Sequence, residues 1–429
     1  MALTPLRHPP SIAWGGFNIC VLNMSKTILS PIFDQADYLN RKQLLPDYLK
    51  EFSCYQEDFQ GALSFLMAYK DIPATFNAYR REVERLLQWS WRITKKSIYS
   101  LKREDIEAYL KFCQNPPATW ISLQKQPRFI TTQVERLPNS LWRPFVATVT
   151  KAAYGRGLRP KAVDYKPSNT SLKELLAILG SFFNYLLQEE YVKANPVALI
   201  RQKSKFIRKE QGINKIRRLS ELQWQYVIKK AEELADHDPP RHERTLFIMS
   251  ILYSMYLRIS ELTASDRWSP SMNHFYRDNS GHWWFTTVGK GNKQRSIAVS
   301  DATLVALKRW RKYLGLSSLP SSVDSSPLLP KLKSNHPIAD TSRIRNIVQH
   351  CFNSAMEKLR ADGHYEEAEN LTAATVHWLR HTGISDDIKH RPREHVRDDA
   401  GHSSSAITDK YIDIELRERH RSARHKPMK

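Results

Sequence analysis

Between Thr75 and Leu87 the apolar residues Phe76, Tyr79, Val83, Leu86 and Leu87 fall three and four apart, with Arg80, Arg81, Glu84 and Arg85 between them. That spacing predicts an amphipathic helix. A second helix is predicted over Arg103 to Phe112, after the polar connection Thr94–Ser100. Ser171-Leu172-Lys173-Glu174 has the spacing of a capping box and opens a strongly apolar helix over Leu172 to Leu187. Asn195-Pro196 closes that region. Residues 114–168 are Pro-rich, carry Trp120 and Trp142, and hold nine Lys/Arg against two acids. They read as an insertion within a small helical domain spanning 61–200. Residues 1–60 are assigned only as an N-terminal extension. Trp14-Gly15-Gly16 and Asn18 interrupt its apolar stretch, so it lacks a clean signal-peptide pattern. Met24 reads as a candidate start, with residues 1–23 an unstructured leader.

The pattern changes after Arg218. Leu246 to Leu257 is apolar almost all round, as a buried helix is, but Ser250 and Ser254 interrupt it and it is too short to span a bilayer. Phe275–Arg277, His282–Thr287 and Arg295–Val299 predict three short strands, joined by turns at 278–281 and 289–292. A Ser/Pro-rich loop covers 316–340. Ile344, Ile347, Val348, Cys351, Phe352, Ala355, Met356 and Leu359 then predict one long amphipathic helix. The expected fold is mainly α with a small antiparallel β-sheet. A helical domain (61–200), a linker (201–218) and a mixed α/β (α+β) domain with a C-terminal tail (219–429) follow one another.

Charge adds a partner. The chain of 429 residues carries 66 Lys+Arg against 44 Asp+Glu, a net charge of +22. Such an excess repels itself in a compact fold and points to a polyanion, either nucleic acid or an anionic membrane surface. The linker concentrates it in Arg201, Lys203, Lys205, Arg208, Lys209, Lys215, Arg217 and Arg218, with one acid among them. This is the composition of a segment that tracks a phosphate backbone. Four scattered cysteines, Cys20, Cys54, Cys113 and Cys351, form no C-x-x-C and suit a reducing compartment. No glycine-rich loop of the phosphate-cradling type is present, which argues against an ATP-driven motor.

Candidate chemistry sits in the last domain. Arg258 lies where the apolar helix ends, with Glu261 three residues on as an ion-pair partner, and Lys290 lies in a hairpin turn. His377 and Arg380 are one helical turn apart, and Gly401-His402 precedes Tyr411 by nine residues. Two arginines can grip the nonbridging oxygens of a phosphate bidentately. Histidines can donate hydrogen bonds or move protons near neutral pH. A phenol titrating near 10 needs a base and a positive field before it attacks. His377 and His381 could also ligate zinc, but Trp378 stands where a zincin needs glutamate. No metal site is expected.

In order, Tyr256-Leu257-Arg258-Ile259-Ser260-Glu261-Leu262, the Gly289-Lys290-Gly291 turn, His377-Trp378-Leu379-Arg380-His381-Thr382 and Gly401-His402…Tyr411 resemble the signature of the tyrosine recombinases, the phage-integrase family. Ser181-Phe182-Phe183-Asn184…Asn195-Pro196 is similar to the last helix of that family's core-binding domain. The resemblance implies a two-domain DNA clamp, a homotetramer on two synapsed duplex sites and a bacterial cytoplasmic setting with no cofactor. Accessory bending or directionality proteins would be partners. It also implies roles. Tyr411 would attack the scissile phosphate to give a 3′-phosphotyrosyl link, while Arg258, Arg380 and His402 hold the phosphate oxygens. Lys290 would protonate the leaving 5′ oxygen, His377 would help take the tyrosine proton, and Glu261 would orient Arg258. The alternatives are a type IB topoisomerase-like strand transferase and a non-catalytic DNA-binding regulator on the same fold. Two departures stand out. Residues 385–399 are more polar than the family's usual helix pair, and Ala400 replaces a larger aliphatic residue.

Replacing Lys203, Lys205 and Lys209 by Gln is expected to flatten the slope of log affinity against log salt by about 3. An unchanged slope in salt-titrated DNA binding would show a linker that is merely solvated.

Overall fold

The computed structural model describes residues 29–39, 55–133, 135–198, 200, 217–289, 291–409, 411 and 423–424. The Met24 start, the linker cations Arg201, Lys203, Lys205, Arg208, Lys209 and Lys215, the hairpin Lys290 and nearly all of the basic tail lie outside them. The chain divides into two units: Met1–Val149 with Arg159–Glu210, and Thr150–Leu158 with Gln211–Lys429.

The first unit is built on α1 (Tyr55–Met67), α2 (Pro73–Trp89), α3 (Arg103–Gln114) and α4 (Asn169–Gln188). Pro73 sits in the first turn of α2, where its missing N–H costs nothing. The apolar stripe of α2 is buried as its spacing requires, yet so are Arg80, Glu82 and Glu84. The segment 29–39 covers Arg80 and Glu84, inserting Leu29, Ile32 and Phe33 into the core, while Glu82 pairs with Arg81 and Arg85. Glu84 accepts the Phe33 N–H at 3.0 Å and pairs with Arg128, so a charge expected in water is buried with partners. Trp120, Ile121, Phe145 and Ala147, all from the Pro-rich stretch, belong to the same core. The cap of α4 differs from the sequence reading. Ser168, not Ser171, is the N-cap, and its Oγ accepts from the Ser171 N–H at 3.1 Å, so the helix starts a turn earlier.

In the second unit α6 (Pro239–Ser254) runs through the core, packed by α5 (Glu221–His237), α7 (Asp301–Tyr313), α8 (Thr341–Ala361) and α10 (Val376–Asp387). The short α9 (Tyr365–Leu371) leads into α10 and α11 (Arg393–Ala400) follows it. Strands β1 (Phe275–Arg277), β2 (Trp283–Val288) and β3 (Gln294–Ala298) form an antiparallel sheet in that order. Phe285 faces both Phe275 and Ile297 across its neighbours. The Ser/Pro-rich loop is anchored, because Leu328, Leu329 and Ile338 are buried under it. The fold is thus mainly α with a small antiparallel sheet. Among the described residues no helix is long and apolar enough to cross a membrane.

Close approach of α10 to α6 depends on Gly383, where a Cβ would collide with the Tyr253 carbonyl oxygen. Gly383→Ala is therefore expected to destabilise the second unit by about 2 kcal/mol, seen as a lower urea midpoint. An unshifted midpoint would mean that the helices can separate freely.

Candidate active site

The chain reverses direction just after α6. Tyr256 takes a left-handed φ of 51°, and Arg258 then opens a single 3₁₀ turn, Ile259–Glu261. Glu261 is fully buried and is held by four donors: Arg258 N (2.8 Å), Arg258 Nη1 (3.0 Å), Arg295 Nη1 (2.7 Å) and Arg295 Nη2 (2.8 Å). Burial pushes its carboxyl pKa up, but the bonds and charges of Arg295 and Arg258 outweigh this and hold it below the usual range. The carboxylate thus stays ionised and fixes both guanidinium groups.

Arg380, on α10, is 2% exposed. Its guanidinium donates to the Tyr256 carbonyl and, at 2.6 Å, to the Ala400 carbonyl. Arg258 Nη2 reaches the neighbouring Gly401 carbonyl at 3.5 Å. Both cations therefore meet the C-terminal end of α11, where the free carbonyls carry partial negative charge. Gly401 ends α11 with a φ of 63°, and a Cβ there would lie 2.8 Å from Arg295 Cδ. Glycine is required on both counts. Burial, then the charge of Arg258, pulls the Arg380 pKa down to about 9, so the group remains a cation at neutral pH.

Three histidines and a tyrosine complete the cluster. His402 follows Gly401 and its Nδ1 lies 2.9 Å from Thr408 Oγ1. Tyr411 is 7% exposed, and its backbone N–H bonds to the Thr408 carbonyl at 2.9 Å. Its ring stacks beside His402, centroids 5.9 Å apart. Burial raises the Tyr411 phenol pKa above its usual value, with Arg380 and Arg258 pulling in the opposite direction. The atom at the phenol oxygen is His381 Nδ1, 2.5 Å away. The His377 ring packs edge-on against His381, centroids 4.2 Å apart. Burial and nearby cations lower the pKa of all three histidines, His381 to about 3 and His402 to about 4. At neutral pH they are uncharged rings, so His402 would meet an anion as a neutral N–H donor.

His377 and Arg258 also line a cavity of about 570 Å³ together with Lys151, Arg345 and Gln349. Lys151 belongs to the short helix Lys151–Gly155 within the second unit's detached segment, and its Nζ bonds to Gln349 Oε1 and, at 3.3 Å, to the Ala374 carbonyl.

Thus Arg258, Glu261, His377, Arg380, His402 and Tyr411 come together in one place. Arg217 and Arg218 are not bonded to these groups: Arg217 is exposed and Arg218 half-buried. The sequence reading passed over Arg295 and Lys151, and it weighed His381 only as a zinc ligand beside His377. His381 was legible as the position four residues after His377, on the same helical face. The polar stretch 385–399 also has an account. Arg391 bridges Asp387 (3.0 Å), Asp399 (2.5 Å) and the Tyr256 hydroxyl (3.0 Å), while Asp399 accepts the Ala298 N–H at 3.2 Å. These bonds supplement a small apolar cluster of Tyr256, Ile384, Val396, Ala400 and Tyr411.

Residues 217–417, which contain this whole cluster, match the family model described as "Phage integrase family". The chain carries a phage integrase domain. Over 234 residues it is 25% identical to the tyrosine recombinase XerC of Escherichia coli O139:H28 (strain E24377A / ETEC), covering 53% of this chain and 69% of that protein. XerC of Escherichia coli O127:H6 (strain E2348/69 / EPEC) is 24% identical over the same shares of both chains. The solved post-cleavage complex of the XerH site-specific recombinase with a palindromic difH substrate matches 92% of this chain and 98% of its own. Its TM-score is 0.51 at 13% identity, which speaks to the fold. That domain, residues 217–417, belongs to the phage integrase family, and the relatives it resembles are tyrosine recombinases.

Two outcomes follow from this cluster of side chains. Removing the anion between its arginines by Glu261→Ala is expected to cost about 3–5 kcal/mol of stability in denaturant unfolding; a loss under 1 kcal/mol would show that the arginines need no carboxylate. The pH dependence has a definite sign. The lowered His381 and His402 pKa values mean that the unfolded chain binds protons first, so their contribution is complete above about 6.5 and is lost as pH falls toward 4 and then 3. Glu261 acts in the same direction at still lower pH. The melting temperature should fall between pH 7 and pH 5, and less steeply when His381 and His402 are both replaced by Asn. Parallel curves would contradict this.

Proposed function

We infer that the protein cuts and rejoins DNA strands at specific sites through a 3′-phosphotyrosyl intermediate, in the integration, excision or resolution of a mobile element. What supports this reading above all is the juxtaposition of a buried tyrosine hydroxyl with two guanidinium groups that are bonded to carbonyl oxygens on one side. Arg258 and Arg380 hold the nonbridging oxygens of the scissile phosphate, with His402 as a further donor. They stabilise charge as it develops, in a site dry enough to make each bond count. Tyr411 attacks, Lys290 protonates the departing 5′ oxygen, and His377 assists the movement of the tyrosine proton. Glu261 orients Arg258. The phosphodiester energy is kept in the covalent link, so religation draws on no ATP and no metal.

Duplex DNA is the partner, bound by both units, with Arg217, Arg218 and the rest of the 201–218 cations on the phosphate backbone. Two sites would be synapsed by a homotetramer, with accessory bending or directionality proteins as further partners.

The test begins with a pool of nicked duplexes of randomised sequence, from which covalent protein–DNA complexes are recovered after denaturation. Wild type is expected to yield a defined site, and Tyr411→Phe no complex on it. Arg258→Lys or Arg380→Lys should reduce complex formation at least about a hundredfold while binding is kept. A covalent complex from Tyr411→Phe, or none from wild type, would reject the mechanism.

A further inference from the structure

The tyrosine hydroxyl touches a group to which no part has yet been given. His381 Nδ1 is 2.5 Å from Tyr411 Oη, whereas His377 meets Tyr411 only through the His381 ring. We propose that His381 is the catalytic group that takes the Tyr411 proton as the nucleophile forms, a proposal that rests on the phosphotyrosyl reading.

The proton balance is simple. The phenol O–H donates to the bare Nδ1, which requires the neutral ring to carry its own hydrogen on Nε2. The proton passes to Nδ1 as the phenol oxygen forms its bond to phosphorus and the bond from phosphorus to the 5′ oxygen breaks. The 5′ oxygen leaves with a proton from the acid assigned above. On religation the 5′ hydroxyl returns its proton to that same acid as it attacks phosphorus, the bond from phosphorus to the phenol oxygen breaks, and the phenol oxygen recovers its proton from His381.

The surroundings suit an acceptor. His377 and Arg380 face His381 from its own helix, and His402 and Tyr411 face it from the segment after α11. Burial and those neighbours keep the free imidazole unprotonated, so its lone pair is available at any physiological pH. A bare imidazole in that field is a weak base until substrate arrives. A phosphate anion lodged against Arg380 offsets the part of the opposition to protonation that comes from that guanidinium, so basicity rises when there is a phosphorus to attack. The free enzyme then keeps its tyrosine as a neutral phenol.

The experiment measures covalent complex formation as a function of pH on the nicked duplex recovered by the selection described above. His381→Asn leaves an acceptor near the Nδ1 position that cannot take a proton, and His381→Phe removes both properties. DNA binding should be unchanged in both. Covalent complex formation should fall about 10²-fold or more at pH 7. The deficit of the Asn variant should shrink as pH rises toward the phenol range, where solvent supplies the phenolate. A bridging 5′-sulfur in the substrate, whose thiolate leaves without a proton, should give no relief. If the Asn variant stays within threefold of wild type at every pH, His381 only positions the hydroxyl and the proposal fails. Rescue by the 5′-sulfur substrate would also overturn it, by placing His381 on the leaving group. His381→Gln serves as the same probe should the Asn chain fold poorly. Absence of a complex from wild type would instead remove the phosphotyrosyl reading itself, a result separate from the behaviour of the His381 variants.

Discussion

Two guanidinium groups held near each other, Arg380 buried and Arg258 half-buried, repel each other, and the second unit is arranged around making that tolerable. Glu261 is the main compensation, a fully buried carboxylate shared between Arg258 and Arg295. The carbonyl end of α11 is the other, accepting from Arg380 at Ala400 and from Arg258 at Gly401. Neither contact neutralises the pair fully, because Arg380 is bonded to carbonyls and not to a carboxylate. Burial first and then the remaining positive charge lower the histidine pKa values, and that charge draws the Tyr411 phenol toward ionisation against its burial. Charge left over from folding becomes a field for chemistry.

Much of this was legible in the sequence because it is local. Arg258 and Glu261 are three residues apart, and His377 and Arg380 one turn apart, so short spacings place them on shared faces. The β-hairpin and the long amphipathic helix were legible for the same reason, since period 2 and period 3.6 survive without tertiary information. What could not be read was long-range pairing. Arg295 looks like an ordinary strand residue until the fold brings it to Glu261, 34 positions away. His381 looks like half of a metal pair until the segment after α11 returns Tyr411 to it. Glu84 and Arg80 mark a solvent face on a helical wheel, yet residues 29–39 cover that face, which no periodicity within α2 can reveal. The cap at Ser168 was missed because two serines three residues apart are both competent caps, and the backbone chose the earlier one.

The polar stretch 385–399 shows how a departure from an expected pattern can be absorbed. Arg391, Asp387, Asp399 and the Tyr256 hydroxyl satisfy one another where larger apolar side chains would otherwise fill space. Such a network fixes geometry only while every member is present, so it exchanges tolerance for definition. It also ties Tyr256, whose carbonyl holds Arg380, to the helix that ends at Gly401.

The detached segment Thr150–Leu158 bears on how this protein could be divided. A boundary drawn by sequence alone would separate residues before 200 from those after it, and a fragment beginning near residue 217 would contain the entire signature. It would nonetheless lack Lys151, one wall of the cavity that Arg258 and His377 share. Inheritance, recombination between related genes and laboratory domain exchange all act on continuous stretches of sequence. Here a graft of the C-terminal half would carry every signature residue and still arrive with its cavity open on one side.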